Sequence, residues 1–382
     1  MKVVFVSNYF NHHQSAFAEA MNRETNGNFV FIQTIPMDKE RKNMGWNIDN
    51  FPPYVKKIYE SDMARKECEE LILSADVTII GSAPNSLIIE RIKQHKLVFR
   101  YSERIYKRKW QILQLPLRAV KYHFENRLSR NIYMLTASAY AAADYAKTGN
   151  YIGKCYKWGY FPKTVTYNID SLISKKTPNS ILWAGRFIDW KHPEVCIEIA
   201  KRLVQEGYRF NMNIIGTGVL EKEIEKKIKE NRLQKYIHML GAMNPTQVRE
   251  YMEKSEIFLF TSDFNEGWGA VLNESLNSGC AVVVSHAVGA APYLIDDGQN
   301  GMLYENGNLD EAFERVKWLL DKNKERINMQ KKAYLTIRNE WNAEVAARRL
   351  IDLFICIIQK NKENLYMTGP CSIAKPLENN WY

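Results

Sequence analysis

The sequence predicts an α/β fold of two doubly wound domains, each built on a parallel sheet. Short apolar runs rich in β-branched residues alternate with amphipathic segments, and this alternation begins again near residue 180. Buried parallel strands are apolar throughout, and the helices between them cover both faces of the sheet. The length of 382 residues is sufficient for two domains of ordinary size.

The first half contains five apolar runs of strand length: KVVFVS (2–7), FVFIQT (29–34), DVTIIG (76–81), KLVFRYS (96–102) and IYMLTAS (132–138). Segments with helical spacing lie between them, including SAFAEAMNRE. A polar stretch, KTVTYNIDSLISKKTPNS, follows. We therefore predict a first domain over 1–162 and an interdomain linker over 163–179.

The second half repeats the pattern with the strands SILWAG (180–185), FNMNIIGTG (210–218), YIHMLG (236–241), EIFLFTS (256–262) and CAVVVSH (280–286). We predict a second domain over 180–346 and a C-terminal helix with its tail over 347–382. Ligands bind open parallel sheets at the carboxyl ends of the strands. Two such domains in tandem are expected to face a central cleft that holds the ligand.

The composition indicates a cytoplasmic globular protein, with 46% hydrophobic and 25% charged residues. The N-terminal run MKVVFVSNYF is short and reads as a strand, not as a signal peptide. The six cysteines are scattered and form no CxxC pair. This distribution favours a reducing compartment and argues against a disulfide framework or a zinc ribbon.

The net charge of +10 lies almost entirely in the first half, since residues 1–160 hold 24 Lys and Arg against 15 Asp and Glu. The segment 100–130 has nine basic residues, two acids and interleaved apolar side chains. This pattern fits an anionic membrane surface or a phosphorylated lipid. A solvated helical face is the alternative. No nucleic acid is expected, because no nucleic-acid-binding motif accompanies the charge.

The stretch AGRFIDWK (184–191) follows a predicted strand, so Arg186 and Lys191 leave the sheet at its carboxyl end. A diphosphate there needs fixed positive charge, which an arginine fork and a lysine ammonium supply. The alternative is two ordinary surface cations, although cations at a helix start oppose the helix dipole.

The stretch IIGTG (214–218) places two glycines after another predicted strand. Glycines allow a ligand to approach the backbone, and a plain tight turn is the alternative. The third glycine and the acidic partner of a dinucleotide fingerprint are missing, which argues against NAD.

The stretch EGWGAVLNE carries Glu266 and Glu274 eight positions apart. A helix beginning near Gly269 would leave the preceding amides free to bind an anion. One carboxylate is then available for a ribose diol and the other for hydroxyls of a second group. The alternative is that Glu266 complements the helix dipole and Glu274 is a surface acid, but the neighbouring small apolar residues argue against a solvated Glu274.

The spacing in EGWGAVLNE resembles the E-x7-E motif of retaining GT-B glycosyltransferases, most closely those of glycosyltransferase family 4. AGRFIDWK is similar to the G-R-x4-K phosphate motif of that family, and NSGCAVVVSHAVGAAPYLIDDGQNGMLY (277–304) is similar to the run after its second glutamate. The resemblance is specific over roughly 180–305 and only architectural over 1–160. It implies a GT-B fold with C-terminal helices that cross back to the first domain.

The resemblance also implies donor-side roles. Arg186 and Lys191 are expected to hold the donor diphosphate and to neutralise the leaving group. Glu274 is expected to bind the nucleotide ribose. Glu266 is expected to lie at the donor sugar and the reacting centre, as the catalytic residue of the donor side.

Backbone amides around Trp268, Gly269 and Ala270 are expected to contact the phosphate and the sugar. The resemblance further implies retention of anomeric configuration, no metal and no cofactor, because the cations stabilise the leaving diphosphate. The nucleotide sugar, with a UDP-sugar favoured, is a substrate.

The loop after the first strand reads Asn11-His12-His13-Gln14 where the family often has glycines. Histidine is the usual proton carrier near neutral pH, so His13 is a candidate catalytic residue and His12 a candidate for the acceptor cleft. Histidines that only cap the following helix are the alternative. Glu103, after another strand of the first half, is a further candidate for the cleft.

These residues predict transfer of a hexose-type sugar to a saccharide or to a polyprenyl-diphosphate-linked acceptor in surface polysaccharide or glycolipid synthesis. The hypothesis for 100–130 places the protein at the inner face of the plasma membrane. Two alternatives stay open: a nucleotide-sugar 2-epimerase of GT-B fold, and a catalytically silent nucleotide-sugar-binding subunit. The E-x7-E spacing favours transfer.

Overall fold

The computed structural model describes residues 1–38, 50–107, 109–361 and 365–378. The chain divides into two compact units: unit 1 comprises Met1–Lys163 and Trp341–Tyr382, and unit 2 comprises Thr164–Glu340. Each unit is built on one parallel sheet, which confirms the predicted pair of doubly wound α/β domains. Within the described ranges, no helix combines the length and the apolar character needed to cross a bilayer.

The strands of unit 1 are β1 Val3–Ser7, β2 Phe29–Gln33, β3 Val55–Lys57, β4 Val77–Ile80, β5 Leu97–Ser102, β6 Ile132–Thr136 and β7 Cys155–Lys157. Those of unit 2 are β8 Thr177–Ala184, β9 Asn211–Ile215, β10 Ile237–Met239, β11 Ser255–Phe260, β12 Ala281–Ser285 and β13 Met302–Tyr304. The central strands β1, β4 and β12 are buried along their whole length. Full burial explains why these runs are continuously apolar and do not alternate.

The described helices are α1 His12–Glu24, α2 Asp62–Ser74, α3 Ser86–Lys93, α4 Leu115–Leu128, α5 Ala141–Ala146, α6 Ile169–Ser174, α7 Glu194–Gln205, α8 Glu221–Glu230, α9 Pro245–Lys254, α10 Ala270–Asn277, α11 Ala291–Leu294, α12 Leu309–Asp321, α13 Asn323–Asn339 and α14 Ala343–Ile358. Many of these helices begin at a residue whose side chain accepts a hydrogen bond from an amide of the first turn. Asn244 and Gln247 form a reciprocal capping box at α9, and Asn11 accepts a bond from the amide of His13 at α1.

The sheet of unit 1 has the order β3-β2-β1-β4-β5-β6-β7, and that of unit 2 has the order β10-β9-β8-β11-β12-β13. The direction of winding therefore reverses between β1 and β4 in unit 1 and between β8 and β11 in unit 2. Ligands of such sheets bind at the carboxyl ends of the strands beside this reversal. Ligands are therefore expected at the loops after β1, β8 and β11.

The segment predicted as a linker, 163–179, is not irregular. It contains α6, which Asn168 caps through the amide of Ser171, and the beginning of β8. Lys176 explains the order of this segment. Its buried ammonium donates to the backbone carbonyls of Met252, Ser255 and Ser278 at 2.8–2.9 Å, so the segment is packed into unit 2.

The chain returns to unit 1 at Trp341. The ring of Phe354 on α14 lies 4.9 Å from that of Phe99 on β5, and Glu344 pairs with Arg23 of α1. The tail then runs along β7, where Ile373 forms an antiparallel bridge with Tyr156. These contacts make the C-terminal helix and the described part of the tail a component of unit 1.

Candidate active site

The loops after β8 and β11 meet at the point of reversal in the sheet of unit 2, because the two strands are hydrogen-bonded neighbours. The first loop carries Arg186 and Lys191, and the second carries Glu266. The ammonium of Lys191 is bonded to the carboxylate of Glu266. The two sequence motifs therefore form one site within unit 2.

The pair of Lys191 and Glu266 is largely withdrawn from water, with 13% and 12% of the two side chains exposed. The Lys191 ammonium also lies 4.7 Å from the centre of the Trp190 ring and 5.5 Å from that of Phe260. Charges interact more strongly where water is excluded. An incoming anion would therefore meet an already oriented lysine.

The guanidinium carbon of Arg186 also lies near Trp190, 5.8 Å from the ring centre. An arginine or lysine over the face of a tryptophan is held by the ring quadrupole. Trp190 thus contacts both cations of the motif. Sequence reasoning missed this role, although the order R-x-x-x-W-K contains the signal.

The IIGTG stretch supports the loop of Arg186. Gly185 donates to the carbonyl of Ile215 at 3.0 Å, and Phe187 donates to that of Thr217 at 2.8 Å. A Cβ on Gly216, whose φ is +137°, would lie 1.8 Å from the carbonyl oxygen of Gly185. The glycine is therefore required for the close approach of two protein backbones.

A buried hydrogen-bond chain fixes the separation of the two loops. The indole of Trp183 donates to the Thr261 hydroxyl at 2.8 Å, and that hydroxyl donates to the carbonyl of Lys191 at 2.6 Å. The amide of Asp263 donates to the carbonyl of Trp190 at 3.0 Å. Bonds on both sides of Lys191 hold its backbone in place.

The helix α10 begins where the sequence predicted, with Gly269 at its N-cap in the left-handed region (φ +90°). A Cβ at Gly269 would lie 2.8 Å from the ring of Phe260, so only glycine allows this turn. The Trp268 side chain is buried and its indole donates to Asn273 at 2.8 Å. Trp268 and Ala270 can therefore meet a ligand through their backbones, at the positive end of the helix.

Glu274 lies on α10, one turn beyond its start, with 18% of its side chain exposed. Burial raises the pKa of its carboxyl group, and the guanidinium of Arg249, 3.9 Å away, opposes that rise only in part. A carboxylate with few water partners is ready to accept hydroxyl donors. The structure therefore favours the functional interpretation of Glu274 over that of a solvated surface acid.

The loop after β1 places both predicted histidines at the start of α1. The rings of His12 and His13 lie 3.9 Å apart, and the ring of His13 is parallel to that of Tyr160 at 6.2 Å. Burial lowers the pKa of His12 to about 4. His12 is consequently neutral at physiological pH and a poor proton carrier there.

Glu103 belongs to the same neighbourhood of unit 1. One carboxylate oxygen accepts a bond from the Tyr160 hydroxyl at 2.7 Å, and the other accepts a bond from Lys107 at 2.7 Å. The structure thus brings His13, Tyr160 and Glu103 together at the carboxyl edge of the sheet. Sequence reasoning missed Tyr160, which follows β7 and carries no motif.

The basic segment 100–130 forms the end of β5, a short 3-10 helix over Lys109–Gln114 and the helix α4. Its Arg108 lies outside the described residues. The side chains of Leu113, Leu117, Val120 and Phe124 are 59–78% exposed. Leu117, Val120 and Phe124 follow each other at steps of three and four residues and so share one face of α4, and Leu113 precedes them in the 3-10 helix. This apolar stripe is not part of the hydrophobic core.

The comparisons with known proteins agree with this geometry. Residues 166–336 match the model of the family "Glycosyl transferases group 1". This match spans nearly the whole of unit 2. The resemblance drawn from the sequence motifs is thereby confirmed.

Among curated proteins, one relative is the N-acetylgalactosamine-N,N'-diacetylbacillosaminyl-diphospho-undecaprenol 4-alpha-N-acetylgalactosaminyltransferase of Campylobacter jejuni. It is 35% identical over 153 residues, which is 40% of each chain. The amylovoran biosynthesis glycosyltransferase AmsK of Erwinia amylovora is 26% identical over 49% of this chain and 47% of its own. The aligned part thus spans less than half the length of these relatives.

Among solved structures, the pneumococcal O-GlcNAc transferase GtfA in complex with UDP and GlcNAc has a TM-score of 0.67 at 12% identity. The alignment covers 94% of this chain and 99% of that chain. Anabaena HepE in complex with UDP and glucose has a TM-score of 0.65 at 12% identity, over 93% and 99% of the two chains. These likenesses show the same fold over both units.

Proposed function

We propose that the protein is a retaining glycosyltransferase that moves a hexose-type sugar from a UDP-sugar to a saccharide or lipid-linked saccharide in surface polysaccharide or glycolipid synthesis. One observation carries the proposal. The pair of Lys191 and Glu266 lies at the start of α10, so a cation, a carboxylate and helix amides converge at the reversal point of the sheet.

Three parts of the donor, the diphosphate, the sugar and the ribose, each have binding groups at this site. Arg186 and Lys191 bind the diphosphate, and the amides of Gly269 and Ala270 at the positive end of α10 bind its oxygens or the sugar. Glu274 accepts bonds from the ribose hydroxyls.

During transfer the bond between the anomeric carbon and the diphosphate oxygen breaks, and the acceptor oxygen bonds to that carbon. Negative charge grows on the leaving diphosphate, where Arg186 and Lys191 stabilise it more strongly than in the ground state. We propose that these cations make a metal unnecessary. Glu266 faces the sugar, and its carboxylate stabilises the positive charge of the transition state.

The acceptor side belongs to unit 1. We assign to His13 the removal of the proton from the acceptor hydroxyl, because histidine accepts protons near neutral pH. Beside His13, the Glu103 carboxylate can accept hydrogen bonds from the hydroxyls of a saccharide, and the Tyr160 hydroxyl can also bond to them. His12 helps to shape this acceptor site in its neutral form.

The choice of UDP rests on the bound UDP of the two structural neighbours. The choice of a polyprenyl-diphosphate-linked acceptor rests on the undecaprenol in the name of the Campylobacter relative and on the surface of α4. Leu117 and Phe124 are exposed beside Lys121 and Arg127. Apolar side chains with flanking cations bind anionic bilayers, so we propose peripheral association with the membrane.

Flotation with liposomes tests the membrane part. The protein is expected to float with vesicles that contain anionic lipid at low salt and to float less at high salt, because salt screens the attraction. Absence from the anionic vesicles at low salt would contradict this part and leave the transferase proposal intact.

The reaction is tested with UDP-hexoses and a synthetic polyprenyl-diphosphate-linked saccharide. We expect release of UDP that depends on the acceptor, and a product whose anomeric proton coupling in NMR shows the configuration of the donor. An inverted product would overturn retention. Formation of a 2-epimer of UDP-N-acetylglucosamine without acceptor would favour the epimerase.

The variant Glu266→Ala distinguishes an enzyme from a catalytically silent binding subunit. For an enzyme this change removes turnover and leaves nucleotide binding in place. For a silent subunit, the wild-type protein already binds UDP and shows no turnover with any acceptor.

A further inference from the structure

His192, directly after Lys191, is held between two carboxylates. Its Nδ1 lies 2.8 Å from Oε1 of Glu194, and its Nε2 lies 3.3 Å from Oδ2 of Asp263. Its backbone has a φ of +50°, in the left-handed region.

The two carboxylates keep the imidazole protonated. Hydrogen bonds to Asp263 and Glu194 raise the pKa of His192 to about 9, and this effect exceeds the opposite effect of burial. The other charged groups near the cluster are Lys191 next to it in the chain and Lys227 of α8, which acts on Glu194. The imidazolium is therefore present at neutral pH.

Asp263 connects this imidazolium to Glu266. Its other oxygen, Oδ1, accepts bonds from the amide and the side chain of Asn265 at 2.7 and 2.9 Å. Its backbone carbonyl accepts a bond from the amide of Glu266 at 3.0 Å. Asp263 thus organises the turn that carries Glu266, and His192 ties this turn to the loop of Lys191.

We propose that His192 is a positioning residue for the donor site: its imidazolium holds Asp263 and so keeps Lys191 and Glu266 in the arrangement that receives the diphosphate. This inference rests on the proposed function. His192 itself is bonded to two protein carboxylates, so its contribution passes through Asp263 and the turn of Glu266.

The sign of the pH dependence follows from the raised pKa. The clamp, which is the protonated imidazole bonded to both carboxylates, is present at neutral pH and is lost as the pH rises through about 9. Loss of one charge-assisted bond corresponds to a decrease in donor affinity of about tenfold or more. The turnover number is expected to fall as well, because Lys191 and Glu266 also act on the transition state.

The test uses His192→Asn, which is neutral and tolerates the left-handed backbone, and His192→Arg, which keeps the positive charge at high pH. His238→Gln, at an exposed histidine of β10, is the control. UDP affinity and the donor KM and kcat are measured at about pH 7 and about pH 10. Titration of the nucleotide and of other side chains affects all four proteins alike.

We expect His192→Asn to raise the donor KM and to lower kcat at neutral pH. We expect wild type to lose more UDP affinity than His192→Arg at high pH. Equal KM values and parallel pH profiles for wild type and His192→Asn would overturn the inference. A wild-type protein that binds no UDP would contradict the proposed function instead.

Hydrogen exchange tests the clamp without a ligand. The amides of Asn265 and Glu266 are expected to exchange faster in His192→Asn than in wild type and in His238→Gln. Unchanged exchange over this turn would contradict the clamp whatever the activity of the protein.

Discussion

In unit 2, the ammonium of Lys191 is bonded to the carboxylate of Glu266, although the two residues are 75 positions apart in the chain. Each belongs to a different sequence motif and follows a different strand. The bond joins the proposed diphosphate site to the proposed sugar site. It also means that Lys191 is partly neutralised before a donor binds.

The variant Glu266→Gln distinguishes the effect of Glu266 on nucleotide binding from its effect on the transfer reaction. Removal of the carboxylate charge frees Lys191, so the affinity for UDP should stay the same or increase. The transfer rate should fall about 100-fold or more, because the amide cannot stabilise positive charge at the sugar. Calorimetric titration with UDP and an acceptor-dependent rate check both parts.

Glu230→Gln is the matched control, since Glu230 pairs with Lys226 on the exposed face of α8. It should leave UDP affinity and transfer rate unchanged. A Glu266→Gln protein with a normal transfer rate would show that Glu266 has no role in the reaction.

Glu274→Gln should stabilise the free protein and weaken nucleotide binding. Burial raises the pKa of this carboxyl group, so its ionisation costs folding free energy at neutral pH. In wild type this cost disappears as the pH falls through the raised pKa. The amide has no such cost at any pH.

Thermal unfolding with and without UDP checks this prediction. Without UDP, the variant should melt above wild type near neutral pH, and the difference should shrink in acid. Addition of UDP should raise the melting temperature of the variant less than that of wild type. A hydrogen bond from the ribose to a charged acceptor is worth about tenfold in affinity. A variant that binds UDP like wild type would remove Glu274 from the ribose site.

His13→Ala should lower kcat about 100-fold or more, because it removes the proposed general base. His12→Ala should affect kcat less, since the partly buried His12 is neutral at physiological pH. Equal losses of kcat in both variants, with normal folding, would contradict the assignment of the base to His13.

His12 should also make the folding stability of the protein sensitive to acid. Its pKa is lowered to about 4 by burial, so the unfolded chain takes up a proton between its ordinary pKa and this value while the folded protein does not. Stability then falls with pH in that range. His12→Asn should unfold less readily there than wild type in pH-dependent urea titrations.

Leu117→Glu and Phe124→Glu should reduce flotation with anionic vesicles and leave thermal stability unchanged. Both side chains are exposed, at 76% and 59%, so the core does not depend on them. A carboxylate at these sites opposes insertion and repels anionic lipid. Val219→Glu, at an 85% exposed valine of unit 2, controls for added charge alone, and equal flotation of all variants would exclude the stripe as the membrane surface.

Much of the fold could be predicted because its central strands are buried on both faces. β1, β4, β11 and β12 are apolar runs that a sequence shows directly. The strands β3 and β13 are three residues long, too short for a periodic pattern to develop. The packing of 163–179 into unit 2 was missed because it depends on Lys176 and its distant carbonyl partners.

Some residues of the candidate site could likewise be predicted from the sequence, and others could not. Arg186, Lys191, Glu266 and Glu274 belong to motifs whose spacing is local, so the sequence contains the signal. The contacts of His192 with Asp263 and of Tyr160 with Glu103 join positions 71 and 57 residues apart. Such pairs depend on the course of loops in the folded chain, which no local pattern determines.

The most direct test of the central claim is calorimetric titration of the wild-type protein with UDP, GDP, ADP and NAD in the presence of EDTA, with Lys191→Met as the matched variant. We predict that UDP binds at one site without metal and that Lys191→Met weakens this binding. No binding of any nucleoside diphosphate, or binding of NAD alone, would contradict the nucleotide-sugar site of unit 2.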